Sequence, residues 1–137
     1  FLYIFSFMLN IRRKKRNMLV TKEFMFHAAH KLPGYEGKCK NLHGHTYKLH
    51  VTLEGEPDKS GMVLDFKEIK DTVEKEILSR LDHSYLNDIV EQPTAERTIM
   101  WIWENLESKL QGLYELKLWE TPTSYVTYKG YNPDKGS

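Results

Sequence analysis

Three histidines and one cysteine within residues 30–45 could hold a metal ion beside a nucleophile or base. His30 precedes a loop that contains Cys39, and His43-Gly44-His45 follows that loop. Residues i and i+2 of a β-strand point to the same side, so His43 and His45 are expected to face one ion, and a second strand folding back would add His30. Three imidazoles leave the fourth tetrahedral position of Zn²⁺ open to water or substrate, whereas structural zinc is usually closed by four protein ligands, mostly cysteines. The spacing therefore predicts a catalytic zinc site.

The other histidines of this region are predicted to lie outside the site. His27 and His50 each differ by an odd number of residues from the nearest predicted ligand, so in straight strands they face the opposite side. An isolated histidine in a strand is more often a surface or hydrogen-bonded core residue than a ligand. The number and spacing of the other three favour a metal site over that alternative.

Two further features could move protons beside the metal. Positive neighbours lower the pKa of a thiol from about 8.5, so Cys39 near a zinc ion and an imidazole could be a thiolate at pH 7. Asp82 directly precedes His83, and a carboxylate beside an imidazole fixes the tautomer of a proton-transfer group. Each feature also has a simpler interpretation: a lone cysteine is often an inert small hydrophobe, and Asp-His often caps a helix C-terminus.

Composition indicates one ordinary globular domain. The chain has 137 residues, of which 40% are hydrophobic and 28% charged, and one cysteine excludes an internal disulfide framework. Five of the 20 basic side chains lie in residues 1–17, which leaves 15 basic against 19 acidic side chains, a net charge of −4. Neither a nucleic-acid-binding face nor a membrane span is indicated, and a cytoplasmic location is expected. Residues 1–17 are expected to be a non-core extension, and 18–137 a single domain.

The hydrophobic pattern predicts the order ββααββ. Strands are expected over 19–32 and 42–54, and a closing pair over 113–121 and 124–129. Asp65 is expected to cap a first helix that ends at Leu81, and the segment 93–96 opens a second helix that ends at Gly112. The expected architecture is an α+β fold with a four-stranded antiparallel sheet and both helices on one face.

With these elements in place, the sequence resembles the pterin synthases of the tunnelling fold, which comprise 6-pyruvoyl-tetrahydropterin synthase and 6-carboxy-5,6,7,8-tetrahydropterin synthase. The resemblance covers nearly everything from Met18 onward. The segments that carry it are 26–33 (FHAAHKLP), 39–45 (CKNLHGH), 63–66 (VLDF), 81–88 (LDHSYLND), 93–96 (PTAE), 101–106 (WIWENL) and 119–121 (WET).

The resemblance implies a role for each candidate residue. His30, His43 and His45 fall on zinc ligands, Cys39 on the catalytic thiol, and Asp82 with His83 on an acid/base pair. Glu120 falls on the carboxylate that binds the amino-pyrimidine edge of a pterin, and Thr94 on a pterin contact, although a threonine before a helix is also explained as its N-cap. Cations for the substrate triphosphate are not assigned, and Lys22, Lys31 and Arg97 are candidates.

Three residues separate Cys39 from His43, a spacing that indicates the carboxy branch. The implied reaction converts 7,8-dihydroneopterin triphosphate to 6-carboxytetrahydropterin, acetaldehyde and triphosphate, on the route to the queuosine base of tRNA. The alternatives are the pyruvoyl synthase, a non-catalytic zinc-stabilised pterin-binding module, and an aldolase or cyclohydrolase on the same architecture. The resemblance also implies a homohexamer, a dimer of trimers whose sheets form a barrel, with the active site between subunits.

Overall fold

The computed structural model describes residues 15–37 and 40–131 of the chain. Most of the predicted extension and the predicted thiol Cys39 therefore lie outside the described residues. Two long strands begin the fold, and their antiparallel register pairs Met18 with Gly55 at one end and His30 with His43 at the other. The strands are β1 (Met18–His30) and β2 (His43–Gly55).

Alternating side chains of β1 and β2 build the core. Phe24, Phe26 and His30 are buried on one face of β1, and Tyr47 and Leu49 continue that face on β2. The predicted alternation in both strands is confirmed. Because His30 and His43 end the same face that begins in the hydrophobic core, packing of the core determines where the histidines lie.

The first helix begins at its predicted cap and contains a π-helical segment. The side chain of Asp65 accepts a hydrogen bond from Lys67 N, and the helix continues without a break to Leu81. Its buried residues recur every four positions. In an ideal helix of 3.6 residues per turn, a stripe with that spacing would turn gradually away from the sheet. A wider π-helical turn takes up part of that rotation. The successive segments are α1 (Phe66–Val73), a π-helix (Glu74–Leu78) and α2 (Ser79–Leu81).

The sheet has one strand more than the sequence predicts. Ser84 and Tyr85 pair in parallel with Ala28 and Ala29 of β1, giving five strands instead of four and a mixed sheet instead of an antiparallel one. A two-residue strand is too short to show the alternation from which strands are predicted. The remaining elements, in chain order, are β3 (Ser84–Tyr85), a 3₁₀ turn (Leu86–Asp88), α3 (Ala95–Leu106), β4 (Leu113–Thr121) and β5 (Ser124–Tyr128).

The sheet order is β3-β1-β2-β4-β5, and one hydrophobic core joins its buried face to the helices. Helix residues such as Ile69, Ile102 and Leu106 are fully buried in this core. The opposite face of the sheet carries Met25 and Tyr125, which are 59% and 52% exposed. Both helices therefore cover one face, as predicted. Across the two described ranges, none of the helices is long and apolar enough to cross a bilayer.

Candidate metal centre and active site

The three predicted metal ligands converge at one end of the sheet. The register of β1 and β2 places His30 opposite His43, with their Nε2 atoms 3.0 Å apart. The ring centroid of His45 lies 5.0 Å from that of His30 and 4.7 Å from that of His43. One ligand nitrogen from each histidine and one carboxylate oxygen of Glu120 all lie within 4.8 Å of one another. We call these four residues the His₃Glu cluster.

Main-chain carbonyls determine which ring nitrogens of the cluster carry protons. The Nδ1 atom of His30 lies 2.8 Å from the carbonyl oxygen of Pro93, and Nδ1 of His43 lies 2.7 Å from that of Asn41. A carbonyl only accepts, so each Nδ1 is protonated and donates, which leaves a lone pair on each Nε2. Two such lone pairs 3.0 Å apart repel each other unless a cation lies between them. This is the outer hydrogen bonding that orients histidine ligands in metal sites.

His45 and Glu120 complete the donor set. Glu120 Oε1 is 3.2 Å from His45 Nε2 and 4.0 Å from His30 Nε2. His45 Nε2 is buried. Among the described residues it has no hydrogen-bond partner, because the contact with Glu120 does not meet hydrogen-bond geometry. Burial lowers the pKa of His45, as do His30 and His43, while Glu120 raises it. A neutral imidazole with an unused buried nitrogen and an adjacent carboxylate fits a divalent transition metal such as Zn²⁺.

Asp82 and His83 form a pair held by the main chain of β1. One carboxylate oxygen of Asp82 accepts from His27 N at 2.9 Å, and His83 N donates to the carbonyl oxygen of His27 at 2.6 Å. The other carboxylate oxygen lies 3.1 Å from His83 Nδ1. The backbone hydrogen bond from His27 and the neighbouring His83 hold the pKa of Asp82 below its usual value. Asp82 is also the C-cap residue of α2, so the helix-end interpretation and the ion-pair interpretation describe the same residue.

Within the described part of one chain this pair makes no direct contact with the cluster, although His83 and His45 line one open cavity. His83 lies beside His27, whose side chain faces away from His30 as the strand parity predicts. Among the described residues, no hydrogen bond, ion pair or ring contact joins His83 to the three cluster histidines. The side chain of His83 is 78% exposed. The structure thus brings four predicted site residues together and places two on the other side of β1.

The segment before α3 supports the cluster through its main chain. Thr94 is the N-cap of α3, and its hydroxyl accepts from Arg97 N at 3.1 Å. The preceding carbonyl, that of Pro93, accepts from His30. The cap interpretation of Thr94 is therefore sufficient for its geometry, and its pterin contact stays a prediction. The carbonyl of Pro93 has no sequence signal, since any residue offers one.

Of the three candidate phosphate contacts, Lys22 lies far from the cluster. Lys22 is eight residues from His30 along β1, a separation of about 26 Å in a strand. Lys31 and Arg97 are exposed, and the guanidinium of Arg97 donates to the carbonyl of Glu91. A cation that sequence reasoning missed, Lys48, lines a cavity of about 440 Å³ together with His45, Trp119 and Glu120. Strand parity assigns Lys48 to the face opposite the ligands, so no pattern in the sequence selects it as a site residue.

Known proteins are similar to this chain in sequence. Residues 19–131 match the family model described as 6-pyruvoyl tetrahydropterin synthase. A 6-carboxy-5,6,7,8-tetrahydropterin synthase of Haemophilus influenzae is 37% identical, over 80% of this chain and 97% of that protein. A 6-pyruvoyl tetrahydrobiopterin synthase of Drosophila melanogaster is 39% identical, over 73% of this chain and 66% of that protein.

A solved structure extends the likeness to the fold. The 6-pyruvoyl tetrahydropterin synthase of Caenorhabditis elegans superimposes with a TM-score of 0.78 at 31% identity, and covers 87% of this chain and 99% of that one. The α+β architecture described above is thus the tunnelling fold expected from the sequence. The chain belongs to the 6-pyruvoyl tetrahydropterin synthase family.

Proposed function

We propose that this pterin synthase is a zinc-dependent lyase that converts 7,8-dihydroneopterin triphosphate and water to 6-carboxy-5,6,7,8-tetrahydropterin, acetaldehyde and triphosphate, in the route to queuosine. The observation that carries the proposal is the convergence of three imidazole nitrogens on one point beside a carboxylate. The near-complete match to the bacterial carboxy synthase supports this branch, as does the three-residue spacing between Cys39 and His43.

His30, His43 and His45 would hold the metal, which would supply Lewis-acid polarisation of substrate hydroxyls. The carbonyls of Pro93 and Asn41 keep the Nε2 atoms of His30 and His43 available for it. Glu120, 23% exposed and adjacent to the cluster, would accept two hydrogen bonds from the amino-pyrimidine edge of the pterin. Thr94, whose main chain lies next to the Pro93 carbonyl, is proposed as a second pterin contact.

Cys39 and His83 would move protons on and off the side-chain carbons of the substrate, with Asp82 fixing the tautomer of His83. Each such group typically contributes about 10²- to 10⁴-fold in rate. Because the Asp82–His83 pair makes no direct contact with the cluster among the described residues of one chain, we propose that a second copy brings its pair to the cluster of the first. This arrangement agrees with the hexamer that the resemblance implies, in which active sites lie between subunits.

Lys48 is proposed to contact the substrate phosphates. Its ammonium lies 4.4 Å from the ring centroid of Trp119 and lines the cavity that His45 and Glu120 also line. Replacing Lys48 with Gln removes the charge and leaves a polar side chain one atom shorter, so we expect KM to rise about tenfold with kcat nearly unchanged. An unchanged KM would remove Lys48 from the substrate site. Lys75→Gln, on the exposed side of the π-helix, is the matched control.

The decisive experiment is product analysis of the zinc-loaded protein with dihydroneopterin triphosphate. The proposal predicts acetaldehyde and 6-carboxytetrahydropterin in equal amounts, detected by mass spectrometry. Absence of turnover by protein that retains its metal would contradict it.

The pyruvoyl synthase is the second candidate, because family members with that name match this chain at similar identity. It would eliminate triphosphate but keep all three side-chain carbons on the pterin, so no acetaldehyde would form. The same experiment therefore separates the two reactions. A non-catalytic pterin-binding module would bind the pterin unchanged and would be indifferent to Cys39→Ala, whereas either synthase would lose most of its rate.

A further inference from the structure

His83 has a backbone conformation that needs support from its neighbours. Its φ angle is 58°, in the left-handed region that non-glycine residues seldom occupy. Such a conformation is strained and persists only where surrounding contacts determine it. The main-chain N–H and carbonyl of His27 supply those contacts, one to the Asp82 carboxylate and one to His83 N.

The side chain of His27 also contacts the pair. Its ring centroid lies 5.8 Å from that of His83, with an interplanar angle of 60°, which is an edge-to-face arrangement. Nδ1 of His27 lies 3.0 Å from the hydroxyl oxygen of Thr46, its partner across β1 and β2. Thr46 therefore orients the His27 ring, and the His27 ring in turn contacts the His83 ring.

The three side chains line one cavity. His27, Thr46 and His83 line a cavity of about 500 Å³ together with His45 and Ser84. Nδ1 of His83 faces Asp82, so Nε2 is the nitrogen left to exchange a proton. At 78% exposure the His83 side chain has few other contacts that could keep its ring in one plane. A displacement of about 1 Å in a catalytic group can cost as much as 10²-fold in rate.

We propose that His27 is a positioning residue for His83, whose ring it holds in the plane that presents Nε2 to the reacting carbon. This inference rests on the proposed function, because His83 transfers a proton only in that reaction. It assigns a role to His27, which strand parity places on the face opposite the metal ligands.

The test compares His27→Ala, His27→Phe and Thr46→Val. The alanine variant removes the ring and should lower kcat about tenfold with KM within about twofold, since substrate binding groups are untouched. The phenylalanine variant keeps an aromatic edge at His83 and should recover most of the rate. Thr46→Val removes the anchor of the ring and should give an intermediate loss. His50→Gln is the matched control. His50 is a hydrogen-bonded histidine of β2 on the same face of the sheet as His27, and its variant should retain the full rate.

A measurement without substrate keeps this inference separate from the proposed reaction. In protein with labelled histidine, magnetisation transfer between the ring protons of His27 and His83 should be observed, and it should weaken in Thr46→Val. The His83 ring resonances should shift in His27→Ala while those of His43 stay in place. Unshifted His83 resonances, or an alanine variant with unchanged kcat, would overturn the inference. Missing turnover in the unmodified protein, with the ring contact observed, would count against the reaction alone.

Discussion

Glu120 has two possible partners at atomic scale, the metal and the substrate. Its Oε1 lies 3.2 Å from His45 Nε2, which is close enough for the carboxylate to join the ion as a fourth ligand, yet it is proposed here to bind the pterin. Replacing Glu120 with glutamine, which is neutral and has the same shape, should have a different effect for each role. A metal ligand affects metal retention, whereas a pterin contact affects substrate binding.

Glu120→Gln is expected to raise KM about 10²-fold, because an amide cannot accept both hydrogen bonds from the pterin edge, while zinc content stays near one per chain. Steady-state kinetics and metal analysis of the purified variant check this. Glu104→Gln, exposed on α3, is the control for loss of one negative charge. Loss of zinc from the Glu120 variant alone would make the carboxylate a ligand instead.

Tyr47 places a fully buried ring beneath the cluster. The ring stacks on Phe26 with centroids 4.9 Å apart and lies 5.6 Å from the His45 ring. Its hydroxyl is buried and has no hydrogen-bond partner among the described residues. Burial raises the pKa of Tyr47, and the charge of Glu120 raises it further, so the hydroxyl stays protonated at neutral pH.

Removing an unpaired buried hydroxyl should not cost stability. Tyr47→Phe is expected to leave the free energy of unfolding of the metal-free protein unchanged or to raise it by about 1 kcal/mol. Tyr47→Ala, which removes the stacked ring, should lower it by about 3–5 kcal/mol. Urea unfolding followed by circular dichroism measures both. A loss of more than about 1 kcal/mol in Tyr47→Phe would show that the hydroxyl has a partner in solution.

At the scale of elements, the short strand β3 depends on Asp82. The Asp82 carboxylate and His83 N both bond to His27, and the first pair of β3 with β1 follows at Ser84 and Ala28. This strand and its anchor were the part of the sheet that the sequence did not predict. Long strands and helices can be predicted from the period of their apolar residues. A two-residue strand has no such period, because it is defined by partners distant in sequence.

The same limit applies to the candidate site. Strand parity correctly grouped His30, His43 and His45 because they end faces that begin in the core. Glu120 followed only from the family resemblance, since one carboxylate near a strand end has no periodic signal. Lys48 was not selected from the sequence, because strand parity places it on the face opposite the ligands, and only the folded sheet shows that its cavity also includes His45 and Glu120.

Asp82→Asn tests the anchor through pH. A lowered pKa in the folded state means that the ionised carboxylate favours folding, so its contribution is complete above the usual pKa of 3.8 and disappears as the pH falls through the folded-state pKa. At pH 7 the variant should lose up to about 1 kcal/mol, since the group is largely exposed. The difference from the unmodified protein should close as the pH falls below the folded-state pKa of Asp82. Denaturant unfolding at several pH values measures it, and a difference independent of pH would assign the loss to packing.

At the scale of the whole molecule, the two halves of the proposed site face different sides of β1. The His₃Glu cluster lies on the face covered by helices, and the Asp82–His83 pair lies beside His27 on the other. The edges of the sheet are β3 and β5, and its uncovered face bears exposed Met25 and Tyr125. Exposed strand edges can pair with further chains. A second copy could therefore bring its own pair to the first cluster.

Mixing inactive chains tests this arrangement. His43→Ala should lose the metal but keep the acid/base pair, and His83→Ala should keep the metal but lose the base, so each alone should be inactive. If every site combines the cluster of one copy with His83 of another, random co-assembly should restore about a quarter of the sites, because each half must be intact. The activity of co-expressed, differently tagged chains purified through both tags measures this. A mixed oligomer that contains both variants and remains inactive would place the pair and the cluster of each working site in the same chain. Two differently tagged copies of the His43→Ala chain, co-expressed and purified in the same way, give the baseline activity.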